Sequence, residues 1–181
     1  MLERNDLILL ASADAAGGIG KGNALLVRIP EDMRHFREHT VGQTIIVGRK
    51  TLESFKNGQP LPNRTNVVLS AIPGYRMEGA TVVRNLQELF ECLNGVHGRI
   101  YVCGGESVYR ALVGFCGRAV ITRFDASYDA DAFLPDISRE TGWPCLDEGE
   151  WKTSENGIRY RIQEYERQRG KANAQGNREN I

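Results

Sequence analysis

Short apolar runs rich in β-branched residues alternate with helix-like stretches over most of this chain. The runs are too short for helices, so they predict buried strands. They cover Leu7–Ala13, Thr44–Val47, Asn66–Leu69, Thr81–Val83, Ile100–Val102 and Ala119–Arg123. Parallel neighbours need crossover connections. The alternation therefore predicts an α/β fold, in which a central, mostly parallel twisted sheet carries helices on both faces.

Three stretches between these runs have helix signals. Pro30–His39 begins with a proline followed by acids, Asn85–Leu93 begins with a capping residue, and Ser107–Val113 follows paired glycines. After Arg123 the pattern changes to strands without an intervening helix, which predicts an antiparallel C-terminal edge. These predicted strands are Tyr128–Phe133, Trp151–Ser154 and Ile158–Tyr165.

Length and composition bound the class of protein. The 181 residues suit a single domain, which we place at residues 1–168, and the polar segment 169–181 reads as a disordered tail. Lys plus Arg and Asp plus Glu both total 23, so no global field favours nucleic acid or a membrane surface. No apolar stretch approaches the roughly 20 residues of a membrane span, and the acidic start is unlike a signal peptide. We expect a cytoplasmic monomer.

Cysteine and histidine give no sign of a metal site. Cysteines and histidines lack the spacing of a zinc site or of a catalytic triad. We therefore expect reduced structural thiols, ordinary histidines and no metal. The residues concerned are Cys92, Cys103, Cys116, Cys145, His35, His39 and His97.

Gly18–Asn23 is a glycine-dense loop directly after the first strand. Alone it is a weak signal, because such turns are common and the spacing is not the dinucleotide-binding pattern GxGxxG. The functional alternative is a flexible loop at the carboxyl edge of the sheet that closes over a ligand and excludes water.

Asp32 shares one helix face with Met33 and Phe36. An acid in the first turn can simply favour the positive end of the helix dipole. In an apolar cleft, however, a carboxylate can also make paired hydrogen bonds to a flat, amidine-like edge while apolar neighbours pack on the ring.

Two strand-to-helix junctions carry signals for an anionic cofactor. Val47–Phe55 runs through Gly48 into a helix with Arg49 and Lys50 at its start, which suits a phosphate, although a solvated basic turn has the same pattern. Val102–Tyr109 carries a Gly-Gly pair before a helix, where backbone can approach a pyrophosphate or simply make a tight turn.

Arg64 precedes the strand Asn66–Leu69 on the same expected rim. A guanidinium there can hold a carboxylate through two hydrogen bonds, but an isolated surface arginine looks the same in sequence.

In this order, these segments resemble dihydrofolate reductase, over residues 7–167. The resemblance rests on the sequences Gly-Ile-Gly, Ile-Pro-Glu-Asp-Met, Val-Gly-Arg-Lys-Thr, Leu-Pro-Asn-Arg-Thr-Asn and Gly-Gly-Glu-Ser-Val-Tyr, with Thr122 before Tyr-Asp-Ala-Asp. It implies NADPH-dependent reduction of dihydrofolate to tetrahydrofolate, with hydride transfer to pterin C6 and protonation at N5. Sensitivity to antifolate inhibitors is also expected.

The resemblance also implies roles for individual residues. Asp32 would bind the pterin N3 and 2-amino edge, with Thr122 supporting it, and these two form the expected catalytic pair. The expected substrate-binding residues are Leu10, Asp32, Met33, Phe36, Phe55, Leu61, Arg64, Cys103 and Thr122. The expected cofactor-binding residues are Ser12, Ile19, Gly20, Gly48, Arg49, Lys50, Thr51, Ser70, Cys103, Gly104, Gly105, Glu106, Ser107, Val108 and Tyr109. Leu10, Ser12, Ile19 and Cys103 would act through backbone groups.

Three features depart from the family pattern. Leu26-Val27 stands where many members have Pro-Trp, and Glu106-Ser107 replaces a glycine and a base. The segment Lys56–Pro60 also looks slightly long. Recognition of the 2′-phosphate would then rest on Arg49, Lys50 and Ser70.

Two other functions remain open from the residues alone. One is a pyrimidine reductase of riboflavin synthesis, which shares the fold and cofactor, although the sequence has no zinc deaminase signature. The other is a nucleotide-binding module without turnover.

Overall fold

A computed structural model describes residues 6–168 of the chain. The strands are β1 (Leu7–Ala13), β2 (Gly18–Gly20), β3 (Thr44–Gly48), β4 (Thr65–Leu69), β5 (Thr81–Val83), β6 (Ile100–Val102), β7 (Cys116–Phe124), β8 (Ala132–Phe133), β9 (Cys145–Asp147), β10 (Lys152–Thr153) and β11 (Arg159–Glu166). The helices are α1 (Pro30–Thr40), α2 (Arg49–Glu53), α3 (Leu86–Cys92), α4 (Glu106–Leu112) and α5 (Ile137–Thr141), with 3-10 turns at Lys56–Gly58 and Val113–Phe115.

Nine strands of this described part form one sheet, in the order β10-β11-β7-β1-β6-β3-β4-β5, with β9 also pairing β11. The pairs from β7 through β5 are parallel, and β11 is antiparallel to β7, β9 and β10. The predicted mostly parallel sheet with an antiparallel C-terminal edge is therefore confirmed.

Alternate residues of the central strands face two different helical layers. Leu9 and Ile46 pack in the main core with side chains of α3, α4 and α5, whereas Leu10 and Ile45 pack with Phe36 of α1 on the other face. Both faces are covered, which explains why these strands read as continuous apolar runs.

The segment Tyr128–Phe133 does not join the edge of the main sheet, so that prediction is wrong. Only its last two residues form a strand, β8, which pairs with β2 in a separate two-stranded sheet. The buried Asp14 carboxylate accepts the Tyr128 N–H at 2.8 Å, which fixes the start of the segment away from the edge.

The expectation of no helix after Arg123 is also wrong, because α5 lies between β8 and β9. Asp136 caps its start by accepting the Arg139 N–H, and Gly142 ends it in a left-handed conformation at φ 69°. Both are ordinary helix boundary signals, on a helix too short to show apolar periodicity.

No helix within residues 6–168 is long and apolar enough to cross a membrane. The predicted tail, 169–181, lies outside the described residues.

Candidate active site

Asp32 lies in the first turn of α1, beside the carboxyl ends of β1 and β7. Pro30 is the first residue of the helix. Ile29, directly before it, is buried and has an extended backbone. The Asp32 carboxylate is partly buried and accepts side-chain hydrogen bonds from Thr122 on β7 and Ser12 on β1. Ser12 and Thr122 are register partners in the parallel ladder, so both hydroxyls lie at one level of the sheet.

The pKa of the Asp32 carboxyl is raised above its ordinary value. Burial is the dominant cause, and the hydrogen bonds from Thr122 and Ser12 oppose it by stabilising the charged form. An acid in this state can hold a proton closer to neutral pH than an exposed aspartate and still accept hydrogen bonds when ionised.

Apolar side chains from four segments form the wall beside this acid. Leu10, Phe36, Leu61 and Cys103 belong to one packed cluster, and Phe55 contacts the same neighbourhood through a second cluster that also includes Cys103. The structure thus brings most of the predicted substrate-lining residues together. Met33 differs, since it is 41% exposed and lies on the open side.

Arg64 is partly buried and held by its own surroundings. Its Nε donates to Thr40 Oγ1 at 2.8 Å, and one terminal nitrogen donates to the Pro62 carbonyl at 2.6 Å. Burial, with the nearby Arg37 charge, lowers the pKa of the Arg64 guanidinium. A carboxylate bound here would oppose both effects, because an opposite charge favours the charged guanidinium.

The two predicted phosphate-binding junctions meet each other. The Gly48 N–H donates to the Gly104 carbonyl at 2.7 Å, and a Cβ on Gly105 would come within 3.1 Å of Thr51 Oγ1. Gly104 has φ 110°, which a side chain would strain, and the Gly104-Gly105 peptide bond is cis. The positive φ of Gly104 favours glycine there, and Gly105 lets α2 and α4 approach each other closely.

The helix starts at both junctions have no side-chain cap. The N–H groups of the first two residues of each helix lack intrahelical acceptors and can serve an anion, whereas the Val108 N–H already donates to the Gly105 carbonyl at 3.1 Å. Arg49 pairs with Glu53 at 2.7 Å, Lys50 is exposed, and Ser70 is buried at 6% exposure. Of the three residues expected at the 2′-phosphate, Ser70 is thus the least accessible.

The glycine loop is more ordered than its composition suggests. Gly18–Gly20 form β2 and pair with β8. The Asp131 carboxylate accepts the Gly22 N–H at 2.9 Å, and the backbone N–H of Asp131 donates to the Gly20 carbonyl. The Asn23 amide donates to the Lys50 carbonyl at 2.8 Å, which links the loop to the α2 junction.

Several residues make contacts that sequence reasoning missed. The Ser12 hydroxyl, not only its backbone, serves the site. Tyr109 is buried and donates to the Leu10 carbonyl at 2.9 Å, so this part of the Leu10 backbone already has a protein partner. Glu106 turns its carboxylate to Phe133 and Arg110 rather than towards the cleft. The sequence offered a sign of the Ser12 contact, because Ser12 is a polar residue inside an otherwise apolar predicted strand.

His35 and His39 were expected to be ordinary histidines, yet they form a partly buried pair. Their Nε2 atoms are 3.0 Å apart, and His39 Nδ1 lies 3.2 Å from the hydroxyl of the buried Tyr101. Burial is the main cause that lowers the pKa of each ring.

All four cysteines are free thiols, and burial raises the pKa of both Cys103 and Cys116.

The departures from the family pattern have local consequences. Val27 packs in a small cluster with Ile29, Phe124 and Tyr160, so an apolar contact exists where the family often has an indole. The segment after Phe55 forms the 3-10 turn Lys56–Gly58.

Comparison with known proteins identifies the family. The family model of dihydrofolate reductase matches residues 6–167. Dihydrofolate reductase of Mycobacterium tuberculosis is 36% identical over 166 residues, covering 88% of this chain and 96% of the relative. That of Bacillus subtilis is 34% identical over 155 residues, covering 85% and 90%. A solved dihydrofolate reductase from Enterococcus faecalis, complexed with NADP(H) and RAB-propyl, superposes with a TM-score of 0.82 at 27% identity, covering 92% of this chain and 99% of that one. The chain therefore belongs to the dihydrofolate reductase family.

Proposed function

We propose that this chain reduces 7,8-dihydrofolate to 5,6,7,8-tetrahydrofolate with NADPH, in the pocket beside Asp32. The observation that carries the proposal is the Asp32 carboxyl, partly buried beside an apolar wall and supported by Ser12 and Thr122. Of the two charged residues expected to bind substrate, Asp32 would bind the pterin ring and Arg64 the α-carboxylate.

Asp32 acts through orientation and proton supply. Its two oxygens can accept from the N3 and 2-amino edge of a pterin, which fixes the ring in the plane of the pocket. Burial favours the protonated form of this carboxyl, which suits it to supply the proton that N5 takes up, and Thr122 and Ser12 hold the carboxyl in place.

The α2 and α4 junctions together suit a dinucleotide. Glycine backbone lies where they meet, their uncapped helix starts offer N–H groups, and Arg49 and Lys50 add positive charge for a 2′-phosphate. NADPH bound there supplies the hydride that reaches pterin C6. The loop held by Asp131 covers this end of the sheet and can exclude water.

Arg64 would bind the α-carboxylate of the glutamate portion of the substrate. The bonds to Thr40 and Pro62 fix the guanidinium plane, so little ordering remains for the ligand to induce. Antifolates that carry a flat diamino ring would occupy the Asp32 pocket in the same way. A cytoplasmic monomer is the state proposed for the enzyme.

A direct test is the dihydrofolate dependence of NADPH oxidation, followed by loss of the reduced nicotinamide absorbance. The proposal requires oxidation that saturates with dihydrofolate and yields tetrahydrofolate in equal amount. Saturable NADPH binding without dihydrofolate-dependent oxidation would identify a binding module instead.

A further inference from the structure

The two-stranded sheet of β2 and β8 is attached to the main body by a small number of contacts. Within residues 6–168, β2 and β8 form strand ladders only with each other. At one side Asp14 accepts the Gly18 and Tyr128 N–H groups at 2.7 and 2.8 Å. The other carboxylate contact to this sheet comes from Glu106.

Glu106 is the first residue of α4, directly after the Gly-Gly turn of the cofactor cleft. One carboxylate oxygen accepts the Phe133 N–H of β8 at 2.9 Å, and the other accepts from Arg110 Nε at 3.0 Å. The Phe133 N–H and then Arg110 lower the pKa of Glu106. An ionised acceptor makes the hydrogen bond to Phe133 stronger than a neutral one.

A shift in the position of β8 would also move the glycine loop. Phe133 pairs with Gly18 and Ala132 with Gly20, and Asp131 binds Gly22. The loop is tied together internally, because the backbones of Lys21 and Ala24 exchange two hydrogen bonds of 3.0 Å. The position of β8 therefore sets the position of β2 and of the loop that follows.

We propose that Glu106 is a positioning residue that couples the cofactor cleft to closure of the glycine loop. Its backbone belongs to the turn that receives the cofactor, while its side chain holds the strand that carries the loop. This inference rests on the proposed function. A cofactor bound at the Gly-Gly turn would meet the backbone of the residue whose carboxylate holds β8, so that the loop stays closed while hydride is transferred.

The test is single-turnover hydride transfer at saturating NADPH and dihydrofolate. Glu106→Ala should slow this step about tenfold, the scale of one lost hydrogen bond to a charged group, with dihydrofolate affinity and the thermal midpoint near wild type. Glu106→Gln should recover much of the loss, because its amide oxygen can still accept from Phe133. Arg110→Ala, the matched control, removes the ion pair but not the acceptor and should stay within about twofold of wild type.

Phe133→Pro provides a second route that does not alter Glu106, since it deletes the same hydrogen bond from the donor side. The double variant with Glu106→Ala should be no slower than either single variant. Wild-type-like rates in both single variants, or equal slowing in Arg110→Ala, would overturn the inference. Absence of turnover in the wild-type chain would instead overturn the proposed function, so the two failures are distinguishable.

Discussion

Ser12 and Thr122 are register partners across the β1–β7 ladder, and both hydroxyls hydrogen-bond the Asp32 carboxylate. The acid comes from a helix, but its partners come from two neighbouring strands. The sheet register therefore places the two hydrogen bonds that oppose the effect of burial on the pKa of Asp32.

Thr122→Val should move the pH dependence of the reaction. The Thr122 hydrogen bond lowers the pKa of Asp32, so its removal leaves burial less opposed and the pKa rises further. The limb on which activity falls as the acid loses its proton should shift to higher pH, measured as the hydride-transfer rate against pH. Thr122→Ser keeps the hydroxyl and should leave that limb in place. An unchanged limb in the valine variant would contradict the role of this bond.

Arg49→Ala should weaken NADPH binding about tenfold or more and NADH binding little, because only NADPH carries the 2′-phosphate. Equilibrium titration with both cofactors measures this. Glu53→Gln is a useful second variant, because the Glu53 carboxylate forms an ion pair with Arg49 at 2.7 Å. It should leave NADPH affinity equal to or tighter than wild type. Equal weakening of both cofactors by Arg49→Ala would place 2′-phosphate recognition elsewhere.

Arg64→Met should raise the KM for dihydrofolate about tenfold to a hundredfold, the range for lost hydrogen bonds to a charged group. A reduced pterin without the glutamate portion should show no such change. Steady-state assays with both substrates separate the effects. A similar loss with both substrates would mean that Arg64 acts on the pocket itself.

The His35–His39 pair should make the fold less stable in mild acid. Burial lowers the pKa of both rings below the ordinary 6.5, so as pH falls through that value the unfolded chain binds protons before the folded chain does. The thermal midpoint should therefore fall between about pH 7.5 and 5.5, and fall less in His35→Gln. His97→Gln changes an exposed histidine and should keep the full decline. A decline of equal size in His35→Gln would contradict this assignment.

Much of the fold followed from local pattern, because strands covered on both faces must be apolar throughout. Most parallel strands and α1 were predicted close to their observed bounds, although β7 begins three residues before the prediction. The role of Asp32 came from the family resemblance, because its helix position alone left the dipole alternative open. Strand β8 was misplaced because its partner is β2, a glycine-rich segment with no apolar alternation.

The orientation of side chains within the site was harder to predict from the sequence. Ser12 and Thr122 are 110 positions apart, and only the ladder register brings them to one carboxylate. Glu106 was predicted to bind the cofactor at the start of a helix, but nothing in the sequence indicated that its carboxylate accepts from the Phe133 N–H and Arg110. Both depend on tertiary contacts that short-range spacing does not encode.

The most direct test of the account is Asp32→Asn, measured as the hydride-transfer rate at neutral pH. The amide keeps the shape of the side chain but supplies no proton to N5, so the rate should fall about a hundredfold or more with NADPH affinity nearly unchanged. Because burial disfavours the ionised acid, the variant should unfold at no lower temperature than wild type, which excludes misfolding as the cause. Turnover near the wild-type rate would contradict the central role of Asp32.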